Sequence, residues 1–90
     1  MPKLPTIEQL RKQIEEADAL IIETLAKRQA LSRQIGQLKS NDRKEIKDSS
    51  REEQLFAFYE ELSEEYHLEN TFIKEIFALI IAHSKTIQKI

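Results

Sequence analysis

Two cations of the segment AKRQALSRQIGQLK, residues 26–39, fall on a face that the surrounding stretch otherwise fills with apolar side chains. At about 100° per residue, Arg28 and Lys39 continue a row of Ile and Leu, whereas Lys27 and Arg33 point away from it. Burial of an unpaired charge is costly, so inward charges are usually paired or directed at a ligand. The pattern therefore predicts a site for an anion.

Further polar residues fall on or beside the apolar faces of the later segments. They are Asp48, Arg51, Glu52, Ser84 and Gln88, while Ser32 lies on the same face of the first segment as Arg28 and Lys39. The inward cations outnumber the two carboxylates, which leaves positive charge for a ligand. Because guanidinium groups make two-point contacts with carboxylates, a small dicarboxylate is expected. Taken singly, each residue also has a structural explanation, such as a long side chain that reaches the surface or a helix cap.

The sequence lacks the side chains that most other chemistries require. It has no Cys, and its two His residues are not at metal-ligand spacing. No activated nucleophile accompanies the cations. We therefore expect no metal and no cofactor, and a reaction that proceeds by positioning the substrate and stabilising developing charge.

Three helices are predicted to position these residues. One Gly, two Pro and 33% charged residues are typical of long helices. A capping box from Thr6 to Gln9 begins helix 1, which is expected to cover about residues 6–40. A polar loop at about residues 41–48 follows, and a second capping box from Ser49 to Glu52 begins helix 2, at about residues 49–66. Helix 3 is expected at about residues 70–89.

The predicted first helix is too long for the rest of the chain to cover. It would measure roughly 50 Å at 1.5 Å per residue, and a chain of 90 residues gains only marginal stability from its own core. Arg11 and Arg28 would lie about 25 Å apart on it, too far to share a small site. In an antiparallel homodimer, the partner's Arg11 can complete the site. We expect an all-α protein, with residues 1–90 as one domain of an intertwined homodimeric helical bundle.

Charge and hydropathy argue against two other classes of partner. A formal net charge of −2 with interspersed acids disfavours nucleic-acid binding. The sequence has neither a signal peptide nor an apolar run long enough to span a membrane, so we expect a cytoplasmic location.

Four motifs, in this order and at this spacing, resemble the all-helical AroQ class of chorismate mutase. They are LRKQI, LAKRQALSRQIGQLK, KDSSREEQL and LIIAHSKTIQ, which extend from Leu10 to Gln88. The resemblance implies the rearrangement of chorismate to prephenate in phenylalanine and tyrosine biosynthesis. In this concerted step one C–O bond breaks while one C–C bond forms, without cofactor, acid, base or covalent intermediate.

The resemblance also implies the roles of the catalytic residues. Arg28 and the partner's Arg11 would clamp the two carboxylates of chorismate. Lys39 and Gln88 would donate hydrogen bonds to the ether oxygen of the breaking bond, with Lys39 also near a carboxylate. Because an amide donates without prior protonation, the reaction is expected to have no requirement for acidic pH.

The remaining site residues receive binding roles from the same resemblance. Asp48 and Glu52 would contact the substrate hydroxyl, Ser84 a carboxylate, and Arg51 an anionic group directly or through a neighbour. Lys85 departs from the family pattern, which often has an apolar residue there.

Two alternatives remain open on the sequence alone. An isochorismate-pyruvate lyase shares the fold and a similarly cationic pocket. A noncatalytic helical dimerisation module would use the inward charges only in salt bridges.

Overall fold

The structure is a computed structural model that describes residues 3–42 and 49–88. In these ranges the chain contains three helices and no strand: α1 (Ile7–Asp42), α2 (Ser49–Glu65) and α3 (Asn70–Gln88). The expected all-α class, with one long and two shorter helices, is confirmed. Within the same ranges, no helix has the length and apolar character that a membrane span requires. Asp48 and most of the expected loop lie outside the described residues.

The start of α1 is fixed by the capping box that the sequence predicts. The Thr6 backbone N–H donates to Gln9 Oε1 at 2.8 Å, and the Gln9 backbone N–H donates to Thr6 Oγ1 at 3.1 Å. These reciprocal bonds satisfy N–H groups that a helix start would otherwise leave without partners. The capping box is therefore confirmed.

The end of α1 differs from the expectation. Asn41 and Asp42 are helical, although both were placed in the loop. Residues of these types cost less than about 1 kcal/mol each in a helix, so they do not stop one in the absence of Gly or Pro.

The chain divides into two compact units, Met1–Leu31 and Ser32–Ile90, here called the N-terminal unit and the C-terminal unit. In the N-terminal unit, the expected apolar stripe of α1 is present but exposed in the single chain. Ile7, Ile14 and Ile21 are 67%, 59% and 58% exposed. This surface therefore remains available to another molecule.

The C-terminal unit has its core between α2 and α3. Tyr59 is buried, and its ring stacks on that of Phe77 with centroids 4.0 Å apart. Phe56 meets Tyr59 edge-on at 5.6 Å. Ile81 and Ile87 extend the buried surface toward the end of α3. Aromatic packing thus fixes α3 against α2 and determines where the last turn of α3 lies.

The end of α2 is closed by a left-handed residue. His67 has a φ of 57°. The Leu68 N–H donates to the Ser63 carbonyl at 2.8 Å, and the His67 N–H donates to the Glu64 carbonyl at 3.3 Å. This pair of bonds is the Schellman arrangement, in which Gly is the usual left-handed residue because any Cβ is strained there.

Replacement of His67 by Gly is expected to raise the free energy of unfolding by about 1 kcal/mol, because it relieves the left-handed strain. His83 is a matched control, since it is exposed inside α3. His83→Gly should lower the free energy of unfolding by about 1 kcal/mol through lost helix propensity. Urea denaturation followed by circular dichroism measures both variants. An equal loss of stability in the two would contradict the strain at His67.

Candidate active site

The last turn of α3 contacts both other helical segments of the C-terminal unit. Lys85 forms an ion pair with Glu52 in the first turn of α2. The backbone of Gln88 lies directly against Gly36 of α1. Side chains from the end of α1, the start of α2 and the end of α3 are thereby brought into one region, as the sequence-based site requires.

Gln88 is half-buried and contributes a buried amide oxygen to this region. Its Oε1 atom is buried and has no hydrogen-bond partner among the described residues. An unsatisfied buried polar group typically costs about 1–3 kcal/mol, so such a group is a candidate for contact with a ligand. Rotation about the last side-chain bond exchanges the amide oxygen and nitrogen, so the same position can present a donor.

Ser84 lies one turn before Gln88 and is also buried. Its Oγ donates to the Ile80 carbonyl at 2.9 Å, a bond within the helix. A hydroxyl has a single hydrogen but two acceptor lone pairs. Donation to a carboxylate, the role that the resemblance implies, therefore requires the Ser84 hydroxyl to rotate away from Ile80.

The ion pair between Lys85 and Glu52 has no counterpart in the sequence-based site. The side chains are 32% and 25% exposed, so water screens the pair only in part. Glu52 also lies in the first turn of α2, where the helix dipole favours a carboxylate. The sequence signal was Lys85 itself, a cation three residues before Gln88, but its partner on α2 was missed.

Lys39 and Arg51 differ in their exposure. Lys39 is half-buried and follows Gly36 by three residues, which places both on one side of α1. Arg51 is exposed in the single chain, and its contact with an anionic ligand stays a prediction. At a helix start a long side chain reaches water easily, and a helical wheel gives its direction but not its depth. Lys39 and Arg51 each take part in further polar or electrostatic contacts.

The N-terminal unit carries the other two expected arginines on a single helix. Arg11 is exposed and Arg28 is half-buried. Both belong to α1, and the helical rise separates them by about 25 Å. Arg11 and Arg28 of one chain therefore cannot contact the same small molecule.

The profile of the family described as chorismate mutase type II matches residues 10–89. The chain belongs to this family. The matched range reaches from the first turns of α1 past the end of α3 and contains every candidate site residue, including Asp48. The resemblance drawn from the four motifs is confirmed at the level of the family.

Two relatives carry the chorismate mutase name. The chain is 28% identical over 81 residues to the chorismate mutase of Methanocaldococcus jannaschii, covering 90% of this chain and 82% of that protein. It is 32% identical over 89 residues to the bifunctional chorismate mutase/prephenate dehydratase of Buchnera aphidicola subsp. Acyrthosiphon pisum. That second alignment covers 99% of this chain but only 23% of the bifunctional protein.

The ion pair between Lys85 and Glu52 is expected to contribute about 1 kcal/mol of coupling to the stability of this family member, because both groups are partly shielded from water. A double-mutant cycle of Lys85→Met and Glu52→Gln, measured by urea denaturation, gives the coupling directly. Lys74 is the matched control, an exposed lysine on the same helix. If the coupling energy between Glu52 and Lys85 is no larger than that between Glu52 and Lys74, the ion pair does not stabilise the fold as expected.

Proposed function

We propose that the chain converts chorismate to prephenate as a cytoplasmic, intertwined homodimer in phenylalanine and tyrosine biosynthesis, with residues 1–90 acting as one catalytic domain. The family match supports the reaction. The observation that most directly supports the site is the buried Oε1 atom of Gln88, which has no hydrogen-bond partner among the described residues. Gln88 is also the position at which the resemblance implies a donor to the ether oxygen.

Arginine pairs well with the charged ends of the proposed substrate. Chorismate is a dianion with two carboxylates, and a guanidinium fork binds a carboxylate through two parallel hydrogen bonds. Arg28 binds one carboxylate and the partner's Arg11 binds the other. Ser84 and Arg51 add contacts to anionic groups. Holding both ends confines a flexible molecule to the chair-like form in which the two reacting carbons are close.

The chemical step needs electrostatic stabilisation and no proton transfer. As the C–O bond lengthens, negative charge develops on the ether oxygen. The Lys39 ammonium and the Gln88 amide donate hydrogen bonds to that oxygen, and these contacts strengthen as the charge grows. Because they are strongest in the transition state, they lower the barrier instead of merely tightening substrate binding.

The start of α2 supplies the acceptor for the substrate hydroxyl. Glu52 accepts that hydrogen bond, assisted by Asp48 from the preceding segment. Lys85 holds the Glu52 carboxylate in place through the ion pair. A negative group at this position also disfavours binding of the dianion in the reversed orientation, because a carboxylate would then face Glu52.

The exposed stripe of α1 supports the homodimer. Ile7, Ile14 and Ile21 present one row of apolar side chains to solvent in the single chain. Burial of such surface contributes about 25 cal/mol per Å². A second copy of the chain carries the same stripe, so antiparallel pairing about a twofold axis covers both stripes at once. The same pairing brings the start of one α1 toward the middle of the other, where the partner's Arg11 meets Arg28.

Loss of chorismate absorbance over time tests the function. Lys39→Ala is expected to lower kcat/KM by about 10²–10³-fold, because it removes a preorganised donor to the ether oxygen. Arg28→Ala should lower kcat/KM with a marked rise in KM, because it removes one half of the carboxylate clamp. Lys27→Ala and Arg33→Ala are the matched controls, since both residues are exposed neighbours on α1 and should retain parental activity.

A parent protein that is folded, dimeric and no faster than the uncatalysed reaction would contradict the proposed function. Turnover of isochorismate to pyruvate and salicylate in place of chorismate turnover would identify the lyase alternative.

Mixed dimers test whether two chains share each site. Arg11→Ala and Arg28→Ala homodimers should both be nearly inactive. After co-refolding of equal amounts, half of the dimers are mixed and each contains one intact site, so activity should return to about one quarter of the parental value. Arg28→Ala mixed with Lys39→Ala is the control, because these residues belong to the same side of a site and no intact site forms. Equal activities in the two mixtures would contradict the shared site.

A further inference from the structure

Gly36 occupies a place in the C-terminal unit that has no room for a side chain. A Cβ at this position would lie 2.7 Å from the carbonyl oxygen of Gln88, 2.8 Å from its Cα and 3.2 Å from its carbonyl carbon. Carbon atoms in ordinary van der Waals contact are about 3.5–4.0 Å apart. Because all three atoms belong to the backbone, the clash cannot be relieved by turning a side chain.

Glycine is required at this position by lack of space for a Cβ and not by its backbone conformation. Gly36 lies inside α1 and does not have a positive φ. Glycine in a helix interior lowers helix stability relative to alanine. The residue therefore carries a local cost that the backbone geometry does not require, and the close approach of α3 is the feature that explains it.

The backbone that approaches Gly36 is that of Gln88, the last residue of α3. Any movement of this backbone carries the side-chain amide of Gln88, with its buried Oε1 atom, along with it. Lys39 lies three residues beyond Gly36 on the same side of α1, so it stays with the helix that Gly36 belongs to. The distance between α1 and α3 at Gly36 thus sets the position of the Gln88 amide relative to Lys39.

We propose that Gly36 is a positioning residue for the reaction: its missing side chain lets α3 approach α1 closely enough for Gln88 and Lys39 to reach the same ether oxygen. This inference rests on the proposed function. Chemistry that depends on preorganised donors is sensitive to small displacements, and a misplacement of about 1 Å can cost as much as 10²-fold in rate. The carboxylate clamp of Arg28 and the partner's Arg11 does not involve Gly36, so binding should be affected less than the rate.

The experiment compares Gly36→Ala in the parent and in a Gln88→Ala background, with chorismate as substrate. In the parent, kcat should fall at least about tenfold, while KM changes by less than about threefold. In the Gln88→Ala background, the same substitution should cost less than about twofold, because the group that it displaces is already absent.

Equal fold losses in the two backgrounds, or an unchanged kcat in the parent, would overturn the positioning role while leaving the mutase function intact. An inactive parent protein would overturn the proposed function and this inference together.

Circular dichroism and gel filtration accompany every variant, so that a loss of fold is not read as a loss of rate. Should Gly36→Ala unfold, the comparison is repeated in the His67→Gly background, which is expected to be more stable and is remote in sequence from both Lys39 and Gln88. Unfolding in that background too would overturn the inference, because Gly36 would then be needed for the fold itself.

Discussion

The close approach between α1 and the end of α3 is the constraint on which the candidate site depends. Gly36 leaves space for the Gln88 backbone, and the stacked rings of Tyr59 and Phe77 pack α3 against α2. The last turn of α3 is consequently held between the two other helical segments of its unit. A side chain placed there has little freedom, which is the condition for electrostatic catalysis by fixed donors.

The charge distribution in this region favours a particular kind of ligand. Glu52 is engaged by Lys85, so it does not cancel the positive charge that Lys39 brings to the same unit. In the proposed binding mode, a dianion with a hydroxyl group has cations for its carboxylates and a carboxylate for its hydroxyl. The reaction proposed for this site transfers no proton, which agrees with a set of donors that need only to be held in place.

Local features could be predicted from the sequence, whereas tertiary ones could not. The Thr6 capping box and the separation of Arg11 from Arg28 follow from hydrogen bonding and helical rise within a few turns, and both were predicted correctly. The ion pair of Lys85 with Glu52 joins two helices, and no helical wheel contains that information. The left-handed conformation of His67 was not predicted, because histidine is enriched among residues with positive φ but residue type alone does not fix the φ of one position.

Arg51 shows what helical periodicity does not predict, namely how deeply a side chain is buried. Its place on the apolar face of α2 predicts an inward direction, whereas the depth of a long side chain near a helix start does not follow from periodicity, and in the single chain Arg51 is exposed. Family resemblance supplied two hypotheses that periodicity did not, namely which anion the inward cations bind and which residues from distant segments act together. Those assignments depend on the spacing of motifs across the whole chain and not on any one helix.

The exposed isoleucines of α1 bear on how this protein folds. In the proposed homodimer a second copy covers this row of apolar side chains, so assembly is part of the folding reaction, which is then second order in the chain. The stability of such a dimer depends on protein concentration, so dilution alone can unfold it without heating. With the proposed site divided between two copies, the protein concentration in the cell sets both the number of chains and the fraction of chains that are assembled and active.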